Sequence, residues 1–556
     1  MIRPTFLAFE TAKRALNVSQ AGLDTVGHNI ANVNTPGYTR QRVDQVSIHS
    51  SYQNKYQIHG ARAQNSGQGA DIVGINQIRD PYLDTRYRNE AAVYGELAIK
   101  NSGLTDLENV LDEIKTTGIV AKLQDFISQL TKYQKEADSA EFATVTRNSA
   151  SQLTQVLNKA ASELSAVMEQ QLFDLKVAVQ DDLNSTLERI SYLNNQIRET
   201  NMYGNPANEM NDERNLLIDQ LSEYLPIRVT RTPEKISEDI TVERVSIQLV
   251  DTSKTPIQTF DLVDNHKFNR FAVGESDSGN LTLALLDGIS GFPLSQDMSD
   301  NITGGGVKGY LDIINGKGDY AGKGENSFKG VPYYQKALDT FTQTFASLMN
   351  QTNSITAEEA QGKTHIKPYP DKNLFVPADG SGVITAANIS ISAEWLAESS
   401  FLTTTKQDPA EPQPVTDEDG NPKYDDKGNQ VFITTANSDN LLHFISVLTE
   451  RNKSFVGTDG DGQEFALFKG SMEEQLTSIQ STVGLDKKLN DSLLKASDTV
   501  ISGYADQRDA ISAVSINEEA IQMMTYQNYY NAAARYMTAL DEALNTIINS
   551  MGHVGR

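Results

Sequence analysis

The chain has 556 residues, and its 48 Lys and Arg against 73 Asp and Glu give a formal net charge of −25 at pH 7. Such an acidic chain does not bind nucleic acid or an anionic membrane through bulk electrostatic attraction. Cysteine is absent, which excludes disulfides, thiolate nucleophiles and cysteine-based zinc sites. No stretch has the roughly 18–20 consecutive apolar residues of a membrane-spanning helix, and the length predicts several domains.

The first 35 residues predict an amphipathic helix. They do not form a secretory signal peptide, because Glu10, Lys13 and Arg14 interrupt the apolar residues. From Phe9 onward the apolar residues recur at steps of three and four, which is typical of a coiled-coil seam. The seam positions are Phe9, Ala12, Leu16, Ser19, Leu23, Val26, Ile30 and Val33.

A turn signature follows this helix. We expect the helix to stop at Thr35, because a residue that precedes proline disfavours the helical conformation. Pro36 and Gly37 then occupy the middle of a type II turn, with Gly37 at the position that needs a positive φ. Asn34 and Tyr38 flank them.

The middle of the chain alternates between helical and strand-like patterns. Residues 38–82 predict short strands and turns, and residues 90–225 are mostly helical. The period-two pattern over 227–290 predicts strands. "GGGVKG" (304–309) lacks the Gly-Lys-Ser/Thr ending of a phosphate-binding loop and is predicted to be a flexible connector. Helix returns at 332–353.

A second loop-and-strand region precedes the last helical part. It contains an extended linker, "DPAEPQP" (408–414), and a hairpin around "DEDGNPKYDDKGNQVFI" (417–433). From about 437 the pattern is helical, apart from a loop predicted at 456–464.

The C-terminal segment predicts a second coiled-coil helix. Ser515 and Glu518 have the spacing of a capping box, and Gly552 stands where a terminating glycine belongs. The seam consists of Ile516, Glu519, Met523, Tyr526, Tyr530, Ala533, Met537, Leu540, Leu544, Ile547 and Met551. We expect the two terminal helices to pair with each other. A seam of this size buries too little to hold an isolated pair, so copies of the chain are expected to supply further contacts.

These elements predict a mainly α fold with inserted β domains, in which an elongated helical body is discontinuous in sequence. The expected terminal coiled-coil domain comprises residues 1–36 and 515–556. The body comprises 37–227, 304–358 and 437–514, with a β-rich insertion at 228–303 and a second β or loop insertion at 359–436.

The sequence offers no catalytic, cofactor or metal site. None of the seven histidines has metal-binding helical spacing to another. Two acidic turns, "DEDGNP" (417–422) and "DGDGQE" (459–464), lack the glycine and glutamate of a calcium loop and are interpreted as solvated hairpin turns.

Four segments resemble characteristic stretches of the bacterial flagellar axial proteins, the family of rod, hook and hook-associated subunits. "NIANVNTPGYTRQRV" (29–43) resembles their N-terminal signature, and its Gly-Tyr-Thr-Arg-Gln is closest to the hook-associated protein 1 branch. "NDERNLLIDQLSEYL" (211–225) resembles a stretch of that branch, with Asn215 where Asp is usual. "GGGVKGYLDIING" (304–316) and the C-terminal segment 508–552 follow in the same order.

The resemblance implies a structural protein at the hook–filament junction, without enzymatic activity or cofactors. It implies secretion through the flagellar type III export channel, with ends that fold only on docking. The implied partners are other copies in a ring-like layer, the hook protein, hook-associated protein 3 and an export chaperone on the C-terminal helix, but neither nucleic acid nor a membrane.

The expected assembly interface consists of Phe9, Leu16, Leu23, Val26, Ile30, Ile516, Met523, Tyr526, Tyr530, Met537, Leu540, Leu544 and Ile547, beside the turn signature Asn34, Pro36, Gly37 and Tyr38. A flagellar hook or distal-rod protein is the nearest alternative, because it shares the opening signature. A secreted hydrolase, with its chemistry in an insertion on the same scaffold, is a third.

Overall fold

The computed structural model describes residues 5–48, 69–116, 118–236, 241–276, 279–354, 372–406, 413–414, 432–433 and 438–550. Helices predominate and antiparallel strands are inserted between them, which confirms the predicted fold class. In chain order the helices are α1 (Thr5–Ala31), α2 (Pro81–Thr116), α3 (Ile119–Lys135), α4 (Ala140–Val177), α5 (Asn184–Met202), α6 (Asn208–Tyr224), α7 (Gly305–Asn315), α8 (Val331–Asn353), α9 (Ala393–Ala397), α10 (Asp439–Thr449), α11 (Met472–Ser512) and α12 (Ile516–Ser550). A π-helical turn, Ala178–Leu183, joins α4 to α5.

The strands pair with their neighbours in sequence. They are β1 (Gln41–Ser47), β2 (Ala70–Gln77), β3 (Ile227–Lys235), β4 (Thr241–Asp251), β5 (Gln258–Asp264), β6 (Lys267–Glu275), β7 (Leu281–Asp287), β8 (Pro293–Ser295), β9 (Phe375–Pro377), β10 (Ile389–Ile391), β11 (Gln413–Pro414), β12 (Phe432–Ile433), β13 (Lys453–Thr458) and β14 (Glu464–Gly470). The β1–β2 hairpin lies beside α1.

One apolar core organises the helical body. Helices α2, α3, α4, α8, α10 and the first part of α11 surround it. Phe126, Phe341, Phe345 and Phe455 are fully buried there, and Phe341 stacks on Phe345 with ring centroids 6.3 Å apart. Burial of each such side chain contributes about 2–3 kcal/mol. The body is therefore a packed frame to which the other parts are attached.

Strands β3 to β8 form a six-stranded antiparallel sheet, which confirms the strands predicted at 227–290. Val245, Ile247 and Leu249 alternate along β4 and are buried. Their period of two places all three on the face that packs against Leu187 of α5 and Ile218 of α6. The sheet therefore packs against helices of the body and shares an apolar core with them.

The glycine-rich segment at 304–309 is not the flexible connector that the sequence suggests, because it begins helix α7. Gly305 has a φ of +83°, and a β-carbon there would lie 2.2 Å from the carbonyl oxygen of Tyr224. A β-carbon on Gly309 would lie 2.8 Å from the carbonyl oxygen of Glu96 on α2. The glycines allow close backbone contact rather than motion.

The loop predicted at 456–464 is the turn at 459–463 of a hairpin, and the strands on either side of it, β13 and β14 over 453–470, were not predicted. Phe455 is buried and pairs with Phe468. The interpretation of "DGDGQE" as a hairpin turn is confirmed, since the carboxylate of Asp459 accepts bonds from the amides of Asp461 and Gln463.

Part of the segment assigned to a second insertion lies inside the body. Residues 372–406 place Phe375 and Trp395 in the main core, both fully buried with ring centroids 5.8 Å apart. The predicted linker at 408–414 and the hairpin and acidic turn within 417–433 lie outside the described residues, except for the β11–β12 pair. Within the described residues, no helix has the length and apolarity to cross a membrane.

Candidate assembly site at the paired terminal helices

Helices α1 and α12 pack side by side, as the two predicted seams suggest. Gly22 and Asn29 of α1 contact α12, and the buried residues Ala8, Ala12, Ser19 and Val26 lie at helical spacing from them on the same side of α1. Val18 and Thr25 of α1 are also buried. Gly22 faces the ring of Tyr526, and a β-carbon on Gly22 would lie 2.5 Å from two of its atoms. Small residues on α1 therefore make room for an aromatic side chain on α12.

The seam of α1 is rotated relative to the prediction. Ala12, Ser19 and Val26 lie on it, but Phe9, Leu16, Leu23 and Ile30 are only half-buried along its side. The large apolar residues define the sequence pattern, whereas close approach of the helices requires the small ones.

The helix also ends at Ala31, earlier than the predicted stop at Thr35. Both the backbone N–H and the side-chain N–H of Asn32 donate to the carbonyl oxygen of His28, at 3.1 and 3.0 Å. Val33 consequently lies beyond the helix, and Asn34 and Pro36 are exposed.

The type II turn is confirmed. The amide of Tyr38 donates to the carbonyl oxygen of Thr35 at 3.2 Å, and Gly37 has a φ of +76°. The chain then enters β1, and the Gly37 backbone packs against Leu216 of α6.

Helix α12 is mostly exposed. Among its residues whose side chains the structure describes, Glu519 and Ala533 are the two that are buried. Tyr526, Met537, Leu540 and Leu544 are half-buried along the same seam. Met523, Tyr530, Ile516 and Ile547 lie at its exposed edge or ends, and large apolar residues off the seam face solvent: Ile521, Met524, Tyr529, Tyr536 and Ile548.

Asn29 is the polar centre of the helix pair, with 1% of its surface exposed. Its amide nitrogen donates to the carbonyl oxygen of Gln41 at 2.9 Å and to the carboxylate of Glu519 at 3.0 Å. Its amide oxygen accepts from the Gln41 amide at 3.0 Å and from the Tyr38 hydroxyl at 2.8 Å. Both donors and both acceptor positions of Asn29 are thus used, and this fixes α1, β1 and α12 together.

Arg40 spans the joint between α11 and α12. Its amide donates to the carbonyl oxygen of Ser512, the last residue of α11, at 2.8 Å. Its guanidinium contacts Glu518 at 2.6 Å and Glu519 at 2.7 Å, both in the first turn of α12. Arg40 therefore holds the terminal helix at a set angle to the body.

Asp212 connects the turn to α6. Its carboxylate accepts from the Thr39 amide at 3.1 Å. Burial raises the pKa of Asp212 to about 6, although the hydrogen bonds from Thr39 and the charge of Arg79 oppose that rise. The charges of Asp212, Glu209 and Glu519 add to burial in raising the pKa of the Tyr38 hydroxyl, which therefore remains protonated and a donor.

A buried cluster of Asp–Arg ion pairs lies close to this turn. Asp219 of α6 contacts Arg88 of α2 and Arg508 of α11, both at 2.7 Å. Asp84 contacts Arg79 at 2.6 Å and Arg508 at 3.4 Å. Burial by itself raises the pKa of Asp84, but the Arg79 hydrogen bond and the surrounding guanidinium groups hold it below its ordinary value. The cluster ties three body helices together where the terminal pair begins.

Three of the segments that resemble flagellar axial proteins therefore meet at one place. Residues 29–43 supply Asn29 and Arg40, residues 211–225 supply Asp212 and Asp219, and the C-terminal segment supplies Arg508 and Glu519. The sequence patterns single out these segments but do not predict the contacts among them. The one available signal was Glu519, a charged residue on an otherwise apolar seam.

Comparisons with known proteins agree with this geometry. The profile of the family described as "Flagellar hook-associated protein FlgK helical domain" matches residues 104–364, and that of "Flagella basal body rod protein" matches residues 9–39. Flagellar hook-associated protein 1 of Bacillus subtilis is 26% identical to the chain, over 99% of each sequence. Its counterpart in Escherichia coli is 22% identical, over 97% of this chain and 98% of the relative.

A solved structure shares the fold. The flagellar hook junction protein FlgK from Burkholderia pseudomallei superimposes with a TM-score of 0.55 at 12% identity, covering 78% of this chain and all of that one. The matches to the two hook-associated proteins extend over nearly the whole chain. Residues 104–364 match the flagellar hook-associated protein FlgK helical-domain family, and nearly the whole chain is similar to flagellar hook-associated protein 1.

Proposed function

We propose that the chain is a structural subunit of the bacterial flagellum that joins the hook to the filament as the first hook-associated layer. The observation that carries this proposal is the state of α12. Arg40 and Asn29 hold its first turn in place, but among its described side chains only Glu519 and Ala533 are buried. A helix held in place with its apolar surface open is suited to assembly with other molecules.

Burial of the exposed apolar residues of α12 would supply the free energy of assembly at this surface. Ile521, Met524, Tyr529 and Tyr536 are 59%, 58%, 59% and 42% exposed. Complete burial of such side chains contributes about 1.5–3 kcal/mol each. Neighbouring copies in a closed layer would supply that burial, so the terminal pair gains most of its stability at the growing end.

The proposed partners are the hook protein below the layer, hook-associated protein 3 above it and further copies within it. An export chaperone is proposed to cover α12 before assembly, and the type III channel to carry the chain to the cell exterior. The name of the relatives, hook-associated protein 1, supports the hook as a partner. The exposed apolar surface of α12 supports a protein that covers this helix before assembly. We assign the chain no catalytic role.

A hook or distal-rod role is the second candidate, because the rod-protein profile matches residues 9–39. The two roles are separated by expressing the chain in cells that lack hook-associated protein 1 and in cells that lack the hook protein. We expect filaments to return only in the first strain. Restoration of hooks in the second strain would support the alternative.

Two substitutions test the terminal pair as the assembly site. Leu23→Asp and Leu544→Asp place a charge along the helix contact, where both side chains are half-buried. We expect each to leave the body folded and to abolish filaments in the complemented strain. The matched controls are Asn17→Asp and Asn545→Asp, which add the same charge at exposed positions of the same helices. Normal filaments with both leucine variants would refute this site.

The isolated subunit provides a further test. If assembly stabilises the ends, limited proteolysis of the monomer should trim residues 1–31 and 516–556 first and leave the body resistant. The same protein inside isolated junctions should lose this sensitivity. Equal protection of ends and body in the monomer would show that the ends need no partner.

A further inference from the structure

The side of helix α11 that faces the body is apolar in the first half of the helix and polar in the second half. Up to Val483 it buries apolar residues such as Leu476 and Ile479 in the body core. Beyond that point it turns polar residues toward α2: Asn490 donates to the carbonyl oxygen of Leu97 at 2.9 Å. Ser497 donates to Glu90 at 2.6 Å, and Lys487 to Glu108 at 2.6 Å.

The apolar residues of this second half face solvent. Leu485, Leu489, Leu493 and Val500 are 67%, 62%, 48% and 42% exposed. With Ala496 they recur at steps of three and four, so they form one continuous stripe about 22 Å long. We call these five residues the leucine ridge. A stripe of this kind is normally the buried side of a helix.

An open groove of about 440 Å³ lies between α2 and α4. We call it the acidic groove and define it by Asp106, Val110, Glu163, Ala166 and Val167. The two valines and the alanine are the apolar part of its lining, and the two carboxylates give it negative charge. Glu163 also pairs at 3.1 Å with Lys159, whose side chain is 63% exposed; such a surface pair adds little and yields easily to a new partner.

The ridge and the groove lie on opposite sides of α2. Asp106 accepts from Gln171 of α4 at 3.1 Å, whereas Glu108 binds Lys487 of α11. Residues two positions apart on a helix point about 200° away from each other. One copy therefore cannot bring its own ridge into its own groove.

The charges of the two surfaces are complementary. Lys488 and Lys495 are exposed along the side of the ridge that faces away from α2. The acidic groove offers Asp106 and Glu163 together with the apolar side chains Val110, Ala166 and Val167. An apolar stripe with cations beside it is complementary to a groove that is lined by apolar side chains and carboxylates.

We propose that the leucine ridge of one copy packs into the acidic groove of the next copy, as a lateral contact within the assembled layer. This inference rests on the proposed function, since it requires copies that lie side by side. The contact joins two different surfaces, so every added copy presents a new ridge and a new groove. Contacts of this heterologous kind build rings or helical layers rather than closed dimers.

Cross-linking tests the contact directly, because the chain contains no cysteine. Leu489→Cys and Val167→Cys are placed in one chain, and isolated hook–filament junctions are treated with a short thiol-specific cross-linker. We expect a ladder of dimers, trimers and larger species. The control pairs Leu489→Cys with Val383→Cys, whose position is 57% exposed and belongs to neither surface. It should give no ladder, and neither should any single cysteine.

The outcomes separate this inference from the proposed function. Filaments without a ladder would overturn the ridge–groove contact and leave the junction role intact. Failure of the unsubstituted chain to restore filaments would instead overturn the junction role.

A charge exchange covers the case in which the cysteines themselves block assembly. We expect Lys495→Glu to reduce the number of filaments per cell at least fivefold, and added Glu163→Lys to restore it, with the melting temperature of the monomer unchanged throughout. Full assembly with Lys495→Glu alone, or absence of rescue, would count against the contact.

Discussion

Gly22 of α1 lies directly against the ring of Tyr526 of α12, with no space for a β-carbon between them. Such an atom would be 2.5 Å from two ring carbons and 2.7 Å from a third. One of these three atoms is the ring carbon nearest the backbone, so the side chain cannot move aside through its tip alone. The distance between the terminal helices is therefore set by this glycine and this tyrosine.

Gly22→Ala is expected to weaken the terminal helix pair. The overlap should cost about 1–3 kcal/mol, which exceeds the gain of up to 1 kcal/mol in helix propensity. Helix content by circular dichroism and protease resistance of residues 5–31 should both fall.

Gly27→Ala is the matched control, because a β-carbon there meets nothing within 4 Å. It should increase helix stability by about 0.5–1 kcal/mol. If both variants stabilised the helix equally, the close contact with Tyr526 would have no energetic meaning.

Local patterns in the sequence predicted the parts of the fold that depend on local periodicity. The strands at 227–290, the turn at Pro36–Gly37 and the α12 seam with Tyr526 follow from spacing and turn chemistry alone. The rotation of the α1 seam was missed because Phe9, Leu16 and Leu23 dominate its pattern, whereas small residues allow the closest approach.

Long-range polar contacts could not be predicted in this way. Asn29 and Glu519 are 490 positions apart, and Asp219 and Arg508 are 289 positions apart. For neither pair do the residues adjacent in sequence specify the partner. The glycines at 304–309 were misinterpreted for a related reason, because flexibility and close packing call for the same residue.

Arg40→Ala should loosen the joint between α11 and α12. Removing the guanidinium leaves Glu519, whose side chain is 2% exposed, without its cation. Loss of one partner of a buried ion pair costs about 3–5 kcal/mol. We expect faster proteolytic cleavage at residues 513–515, and a broader distribution of molecular dimensions in small-angle X-ray scattering.

Arg42→Ala is the control for this effect. The Arg42 side chain is 65% exposed and pairs with Asp44 of the same strand. Its removal should leave cleavage at the joint unchanged. A joint equally resistant in both variants would mean that Asn29 and the helix contact suffice to hold α12.

The buried carboxyl of Asp212 should make the contact between the turn and α6 sensitive to pH. Its pKa is raised from an ordinary 3.8 to about 6. The protonated form is thus favoured in the folded state, and this stabilisation is complete below about pH 4 and is lost as the pH rises through 6. The charged carboxyl should cost about 3 kcal/mol at pH 7.5.

Asp212→Asn tests that sign, because its amide oxygen can still accept the Thr39 amide while the charge is removed. Hydrogen exchange of residues 29–43 should be slower in the variant than in the unsubstituted protein at pH 7.5. At pH 4.5 the two proteins should differ little, which also controls for the pH dependence of exchange itself. Faster exchange in the variant at pH 7.5 would show that the charge of Asp212 stabilises the contact.

Alanine substitutions at Gly305 and Gly204 distinguish the energetic cost of backbone strain from that of steric overlap. Both have a positive φ, +83° and +77°, but only Gly305 faces a backbone atom, at 2.2 Å from the carbonyl oxygen of Tyr224. Gly204→Ala should cost about 1 kcal/mol, from the left-handed conformation alone. Gly305→Ala adds an overlap that fixed backbone cannot relieve, and should cost about 3 kcal/mol or more.

The chain has a single tryptophan, and Trp395 is fully buried in the body core, so its fluorescence reports unfolding of the body during urea titration. The urea midpoint should fall clearly further for Gly305→Ala than for Gly204→Ala. Equal shifts would mean that α7 moves away from α6 to accept a methyl group. In that case the backbone of segment 304–309 would be flexible, as the prediction of a connector requires.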